Sequence, residues 1–259
     1  MKICGTCQTE PLVNSQKTVP TVPQSLDAQV LKSLPKGRKH FHHSKKQKFV
    51  VHGLRPETTL YYFGAMPRNL DKPLLTKNYA YAKLANSGVT STNHEGTATI
   101  YLECPQVYIY DDGKVYHRHF HFVYWDKTTK KWGDQLYTQP VLCSVDLAFV
   151  KENQHHVLLV DALSRESFKK DHIHGSVNLP ANGRFGYQTV RDFLIEKTTT
   201  KTLEHHLHKI DQTPVIVYCW DAQCNAAKKT IEKLNALGFH NIFYFSGGLS
   251  EWNSHSHSH

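Results

Sequence analysis

The sequence predicts an N-terminal all-β, sandwich-like domain followed by an α/β domain with a parallel sheet covered by helices. Three observations carry this. Between residues 49 and 146, short runs rich in Tyr, Phe, Thr and Val are separated by turn signals, with no helical stripe. From about Leu147 onward, apolar strand-like runs alternate with helical patterns, the signature of a parallel sheet. Charge shifts with the pattern: residues 1–150 hold 19 Lys/Arg against 11 Asp/Glu, whereas residues 151–259 hold 12 against 11.

Residues 1–48 show no sustained period and contain Pro20, Pro23, Pro35 and Gly37, so they read as a basic, mostly irregular arm. One short helix is expected over 25–34. The run KSLPKGRKHFHHSKKQK (32–48) carries much of the positive charge, but a single aromatic, Phe41, offers little stacking surface for single-stranded nucleic acid. A solvated arm is the favoured reading, and nucleic acid is disfavoured as a partner.

The β-type runs of 49–146 are KFVVHGL, TLYYFGAM, YAYAKLA, TATIYLEC, KVYHRHFHFVYW and QLYTQPVLCSVD. Breaks are expected at Arg-Pro-Glu, Asn-Ser-Gly, Asn-His-Glu-Gly and Asp-Asp-Gly. In the second part, HHVLLVDAL gives a buried strand, SRESFKKD a short helix and SVNLP a second strand. RFGYQTVRDFLIEK reads as an amphipathic helix with Phe185, Val190, Phe193 and Leu194 on one side. PVIVYC is a continuous apolar strand, AQCNAAKKTIEKLNALGF a helix ending at Gly238, and NIFYFSGG a last strand. The final SHSHSH (254–259) is low complexity and is set apart from the fold.

At 259 residues the chain can bury two cores, and 39% hydrophobic with 20% charged residues reads as globular. No apolar run approaches the ~20 residues that span a bilayer. The start, MKICGTCQTE, lacks the apolar stretch of a secretory signal, so a cytoplasmic, reducing location with no membrane partner is expected. There the six cysteines, Cys4, Cys7, Cys104, Cys143, Cys219 and Cys224, are expected to be reduced, catalytic or metal-bound rather than disulfide-linked. Cys4-Gly-Thr-Cys7 is half of a zinc-knuckle spacing with no second Cys-x-x-Cys, and a frayed pair without fixed role is favoured.

Alternation in KVYHRHFHFVYW puts His117, His119 and His121 on one strand face, with Arg118, Phe120 and Phe122 on the other. The row could supply two metal ligands, with Tyr108, Tyr110 or an acid added from an adjacent strand. The favoured alternative is a solvent- or partner-facing row opposite an aromatic core face, with no metal and no cofactor.

The stretch VIVYCWDAQCNAAKK (215–229) places Cys219 where a buried strand ends and a helix begins near Asn225. Open α/β sheets bind ligands beyond the carboxyl ends of their strands. Unpaired amides and the dipole at a helix start favour negative charge, lower a thiol pKa and can hold an anionic group on sulfur. Cys219 is therefore the candidate nucleophile, set against the reading of an inert core thiol.

HHVLLVDALSRESFKKDHIHGSVNLP resembles the opening of a rhodanese domain, with an Asp closing the first strand and a His-Ile-x-Gly turn after it. PVIVYCWDAQCNAAKKTIEKLNALGFHNIFYFSGGLSEW resembles its second half, from the Tyr-Cys strand end to the closing Gly-Gly-Leu-x-x-Trp. The likeness spans about 147–253, with 49–146 left as a β-sandwich-like domain of unknown function.

The resemblance implies a rhodanese-type sulfurtransferase. Cys219 would take sulfane sulfur from a small donor as a persulfide and pass it to a thiol or other nucleophilic acceptor, including a protein. The amides of Trp220, Asp221, Ala222, Gln223, Cys224 and Asn225 would cradle the persulfide. Asp161, His172 and Gly175 match positions that are chiefly structural in the family, and His174 stands where Pro is frequent.

Two cations that the family often carries are missing. Cys224 stands at the common Arg position five after the cysteine, and Leu163 replaces the Arg of Asp-x-Arg, with Arg165 two residues later. Thiosulfate use should therefore be weak. Cys224 could resolve or relay sulfur as a second thiol, or fill the first helical turn. A phosphatase on the same fold needs a cation where Asn225 stands, so phosphoryl transfer is disfavoured. The alternative function is a catalytically weak rhodanese-like module for protein recognition, with the N-terminal domain docking a protein partner.

Overall fold

The computed structural model describes residues 34, 46–81, 84–197 and 212–256. The Cys4/Cys7 pair, the helix expected over 25–34 (apart from residue 34) and most of the basic run lie outside the described residues. The chain divides into two compact units, Met1–Arg68 with Leu74–Cys143, and Asn69–Pro73 with Ser144–His259.

The first unit contains β1 (Gln47–Val51), β2 (Thr59–Gly64), α1 (Lys77–Ala80), β3 (Ser87–Ser91), β4 (Ala98–Leu102), β5 (His119–Asp126), β6 (Lys131–Trp132) and β7 (Tyr137–Pro140). Its strands pair antiparallel throughout. β1 pairs β4, and β2 lies between β3 and β5. The far edge of β5 is shared by β7, opposite His119–Phe122, and β6, opposite Trp125–Asp126.

Three expectations need correction. YAYAKLA is not a strand: α1 turns there, with the Ala80 N–H bonded to the Thr76 carbonyl at 3.2 Å. That turn buries Ala80 and Tyr81 while Tyr79 faces out. Asn-Ser-Gly is not a break but the start of β3, where the Tyr62 ring lies over Gly88. A Cβ there would come within 2.3 Å of the Tyr62 hydroxyl oxygen. Gly88→Ala should therefore cost about 1–3 kcal/mol, measured by denaturant unfolding; an unchanged midpoint would show that Tyr62 swings away freely. The run QLYTQPVLCSVD divides, its first half forming β7 and its second half β8 (Cys143–Val145) of the other sheet.

The second unit continues with α2 (Leu147–Asn153), β9 (Leu158–Asp161), α3 (Arg165–Lys170), β10 (Val177–Asn178), α4 (Tyr187–Lys197), β11 (Val215–Tyr218), α5 (Ala226–Ala236), β12 (Ile242–Phe245) and α6 (Gly248–Ser256). Its sheet has the order β10-β9-β11-β12-β8, and the pairs β10/β9, β9/β11 and β11/β12 are parallel. Local chemistry sets the boundaries. Asp146 accepts from the Phe149 N–H and caps α2, Ser164 accepts from the Ser167 N–H and caps α3, and Gly238, at φ +93°, ends α5. On α4, Val190 and Leu194 are buried and Phe193 is half-buried, while Phe185, expected on the same face, lies half-buried just before the helix. The low-complexity tail does not begin where composition suggests, because α6 runs on to Ser256. Both Ser254 Oγ and His255 Nδ1 lie within hydrogen-bond reach of the Glu251 carbonyl.

Candidate active site

Cys219 follows the last residue of β11, the central strand, whose four residues are fully buried. The chain leaves β9 for β10 on one side and β11 for β12 on the other. The carboxyl ends of β9 and β11 therefore border the crevice where open sheets place their ligands. The backbone after β11 is held by the start of α6. The Leu249 N–H donates to the Cys219 carbonyl at 2.9 Å and the Ser250 N–H to that of Trp220 at 3.0 Å. Only glycine fits at 248: φ is +59°, and a Cβ would lie 2.3 Å from the Cys219 carbonyl oxygen.

The thiol differs from the expectation in two respects. First, it has no exposed surface, at 0% of the residue. Second, Sγ sits 3.1 Å from the Cys224 carbonyl oxygen and 3.5 Å from that of Asp221, so the S–H donates into carbonyl groups. Burial, then the neighbouring Cys224 thiol, push its pKa up to about 12. The Ala227 N–H in the first turn of α5 acts in the expected, lowering direction but is outweighed.

Two of the loop amides are engaged elsewhere. Asp221 Oδ1 accepts from the Gln223 N–H at 2.9 Å and the Cys224 N–H at 3.1 Å, so two of the six amides expected around sulfur serve a carboxylate instead. An Asp followed by amides two and three residues on is a readable Asx-turn signal that the resemblance obscured. Asn225 is the residue before α5, and its side chain makes no capping bond. Trp220 is 49% exposed beside the cysteine, and Ala222 and Gln223 are exposed as well.

The His-Ile-x-Gly turn reaches the site through Tyr218. The Ile173 N–H donates to the Tyr218 hydroxyl at 3.0 Å, and Ser176 Oγ lies 2.9 Å from it. Gly175, at φ +84°, makes the turn, and His172 stacks on Phe168 at 4.1 Å between ring centroids. Asp161 is fully buried, accepts from the Leu163 N–H at 2.7 Å and is raised in pKa chiefly by burial. Asp161 is thus a core residue, whereas His172 and Gly175 are exposed on the turn that the Ile173 N–H ties to Tyr218. Leu163 is half-buried, Cys224 is half-buried, and Arg165 is exposed at the start of α3.

The histidine row also departs from expectation. His119 and His121 lie in β5, whereas His117 precedes it, and all three are buried rather than solvent-facing. The opposite face is buried too, including Arg118, whose Nη1 donates to the Pro105 carbonyl at 2.7 Å. β5 is thus covered on both sides, which alternation alone could not reveal. Among the described residues, no group of three or more His, Cys, Asp or Glu side chains is placed to hold a metal ion. What lies beside His119 and His121 is a set of tyrosines. Tyr81, Tyr108 and Tyr110 belong to the same buried cluster, and Tyr81 was hidden by reading YAYAKLA as a strand.

Residues 147–255 match the family model of the Rhodanese-like domain. No curated protein matches the chain significantly. Among solved structures, the BH2092 protein of Bacillus halodurans is 23% identical over 44% of this chain and 73% of its own, with a TM-score of 0.34. The single-domain sulfurtransferase RDL2 of Saccharomyces cerevisiae is 19% identical over 46% of this chain and 94% of its own, with a TM-score of 0.32. A rhodanese-related protein of Thermoplasma volcanium is 19% identical over 44% of this chain and 92% of its own, with a TM-score of 0.29. With the parallel sheet, the strand-end cysteine and the Tyr218-bound turn already in place, residues 147–255 of this chain form a Rhodanese-like domain.

Proposed function

We propose that Cys219 accepts sulfane sulfur from a small donor as a persulfide and hands it to a thiol or other nucleophile, as a rhodanese-type sulfurtransferase does. The observation that carries the reading is the placement of a free, buried thiol at the carboxyl end of the central strand, where the chain's connections from β9 and β11 part to opposite sides. In the loading step the Cys219 thiolate attacks the outer sulfur of the donor and the rest of the donor leaves with the bonding pair. In the second step the acceptor thiolate takes that sulfur and Cys219 leaves as thiolate. Release of the Gln223 and Cys224 amides from Asp221 Oδ1 would make them available to the new charge.

The buried, high-pKa thiol specifically favours a second reading, a catalytically weak module used to recognise a protein. One experiment separates the two. After mild treatment with a polysulfide donor, peptide mass spectrometry should find one added sulfur, about 32 Da, on Cys219, and none in Cys219→Ala at any site that transfers sulfur to cyanide or thiol. No added mass on Cys219, with equal release from both proteins, leaves the recognition module. Thiosulfate should be a poor donor, because no Arg stands at 163 or 224. Cys224→Arg should raise its use about tenfold, read as thiocyanate formation; an unchanged rate would mean that the donor does not approach this side of the loop.

A further inference from the structure

We propose that the first unit holds a ferric ion between Tyr81, Tyr108, Tyr110, His119 and His121, a site made of three phenol oxygens and two imidazole nitrogens. The contacts form one continuous cluster. Tyr81 Oη lies 2.9 Å from His121 Nε2 and 2.6 Å from Tyr108 Oη. Tyr108 Oη lies 2.8 Å from His119 Nε2 and 2.7 Å from Tyr110 Oη, which is 3.3 Å from the same nitrogen. All five side chains are buried, Tyr110 being the most exposed at 8%.

Counting hydrogens shows that acceptors outnumber them in this cluster. His119 Nδ1 lies 2.6 Å from the His117 carbonyl oxygen, which can only accept, so Nδ1 carries the proton and Nε2 a bare lone pair. His121 Nδ1 faces Thr138 Oγ1 at 2.8 Å, a hydroxyl that can accept from it or donate to it, while Nε2 faces Tyr81. Five inward contacts thus share at most four hydrogens, three from the phenols and one on His121 Nε2 when Thr138 Oγ1 donates to Nδ1, so at least one contact joins two lone pairs. A buried cluster rich in oxygen and imidazole acceptors suits a cation. Outward N–H bonds that fix the tautomer are also what ligating histidines use.

Distances and charge select the ion. Metal–donor bonds of about 2.0–2.2 Å put neighbouring donors about 2.9–3.5 Å apart, so each of the 2.6–3.3 Å contacts opens by only a few tenths of an ångström. A net charge in so dry a place is costly, and three phenolates balance a trivalent ion. Imidazole with hard anionic oxygen and no thiolate favours iron over softer ions. On binding, each phenol exchanges its O–H bond for an O–Fe bond, and three protons leave to water.

The test uses the full chain, stripped with chelator, supplied with ferric citrate and desalted. About one iron per chain and a visible phenolate-to-iron charge-transfer band are expected. Iron caught by the cysteine- or histidine-bearing termini gives no such band. Tyr108→Phe should lose iron at least tenfold, with near-ultraviolet circular dichroism and Cys219 sulfur loading unchanged. If that variant does not fold, Tyr110→Phe, at the more exposed edge, should shift the band. Iron content near zero, a band indifferent to both substitutions, or uptake of Zn(II) in preference to iron each overturns the proposal.

Discussion

Alkylation and sulfur loading of Cys219 should accelerate about a hundredfold between pH 7 and pH 9, tenfold per unit, because the thiolate is a trace species throughout that range. The cause is the thiol's position. It is buried, faces the carbonyls of Asp221 and Cys224, and has its pKa pushed up to about 12. A thiol activated by a helix start would plateau near neutral pH instead. The check is the rate of iodoacetamide modification of the Cys219 peptide, followed by mass spectrometry so that the other cysteines do not interfere. A plateau below pH 8 would mean that the loop reorients in solution, freeing the Gln223 and Cys224 amides from Asp221 for the sulfur. Asp221→Ala releases those amides and should move the profile toward lower pH.

The same shift has a stability consequence. The folded thiol keeps its proton up to about 12, whereas in the unfolded chain it ionises near ~8.5. Between these values the native state binds more protons than the unfolded one, so stability falls as pH rises through that window. Cys219→Ala should flatten that fall; a slope identical to that of the parent would show that the thiol is not the group responsible.

Reduction of the disulfide between Cys104 and Cys143 should destabilise the first unit by about 4 kcal/mol, the loop-closure value for its sequence separation. The separation is 39 residues and the Cα atoms are 5.7 Å apart. This bond corrects the expectation of six free or liganded cysteines. Pairing was unreadable because nothing local links Cys104, just after β4, to Cys143, at the start of β8; only the folded chain brings them together. Such a bond persists in an oxidising compartment, and in a reducing one the unit folds without that contribution. Peptide mapping without reductant, with denaturant curves for the parent and for Cys104→Ala/Cys143→Ala, checks it. Coincident curves would show that the link adds nothing.

Much of the second unit was legible because its signals are local and repeat in order. Apolar runs such as VIVY are buried on both faces, caps at Asp146 and Ser164 open the helices, and Gly238 closes one. The first unit was less so. Gly88 looks like a turn residue and is a strand residue because the Tyr62 ring lies over it, and one apparent strand feeds two sheets. At the candidate site the position of Cys219 was readable but its ionisation was not. A thiol pKa depends on whether burial or the nearest amides prevail, and Asp221 had already engaged two of those amides.

By itself the sequence determined which residues alternate, where strand gives way to helix and that a cysteine ends the central strand, since each of these depends on neighbours along the chain. Only the tertiary structure decided that Cys104 meets Cys143, that three tyrosines close around two histidines and that the Cys219 sulfur lies out of the water. Those outcomes depend on distances between segments far apart in sequence and on the exclusion of solvent, neither of which a linear pattern encodes.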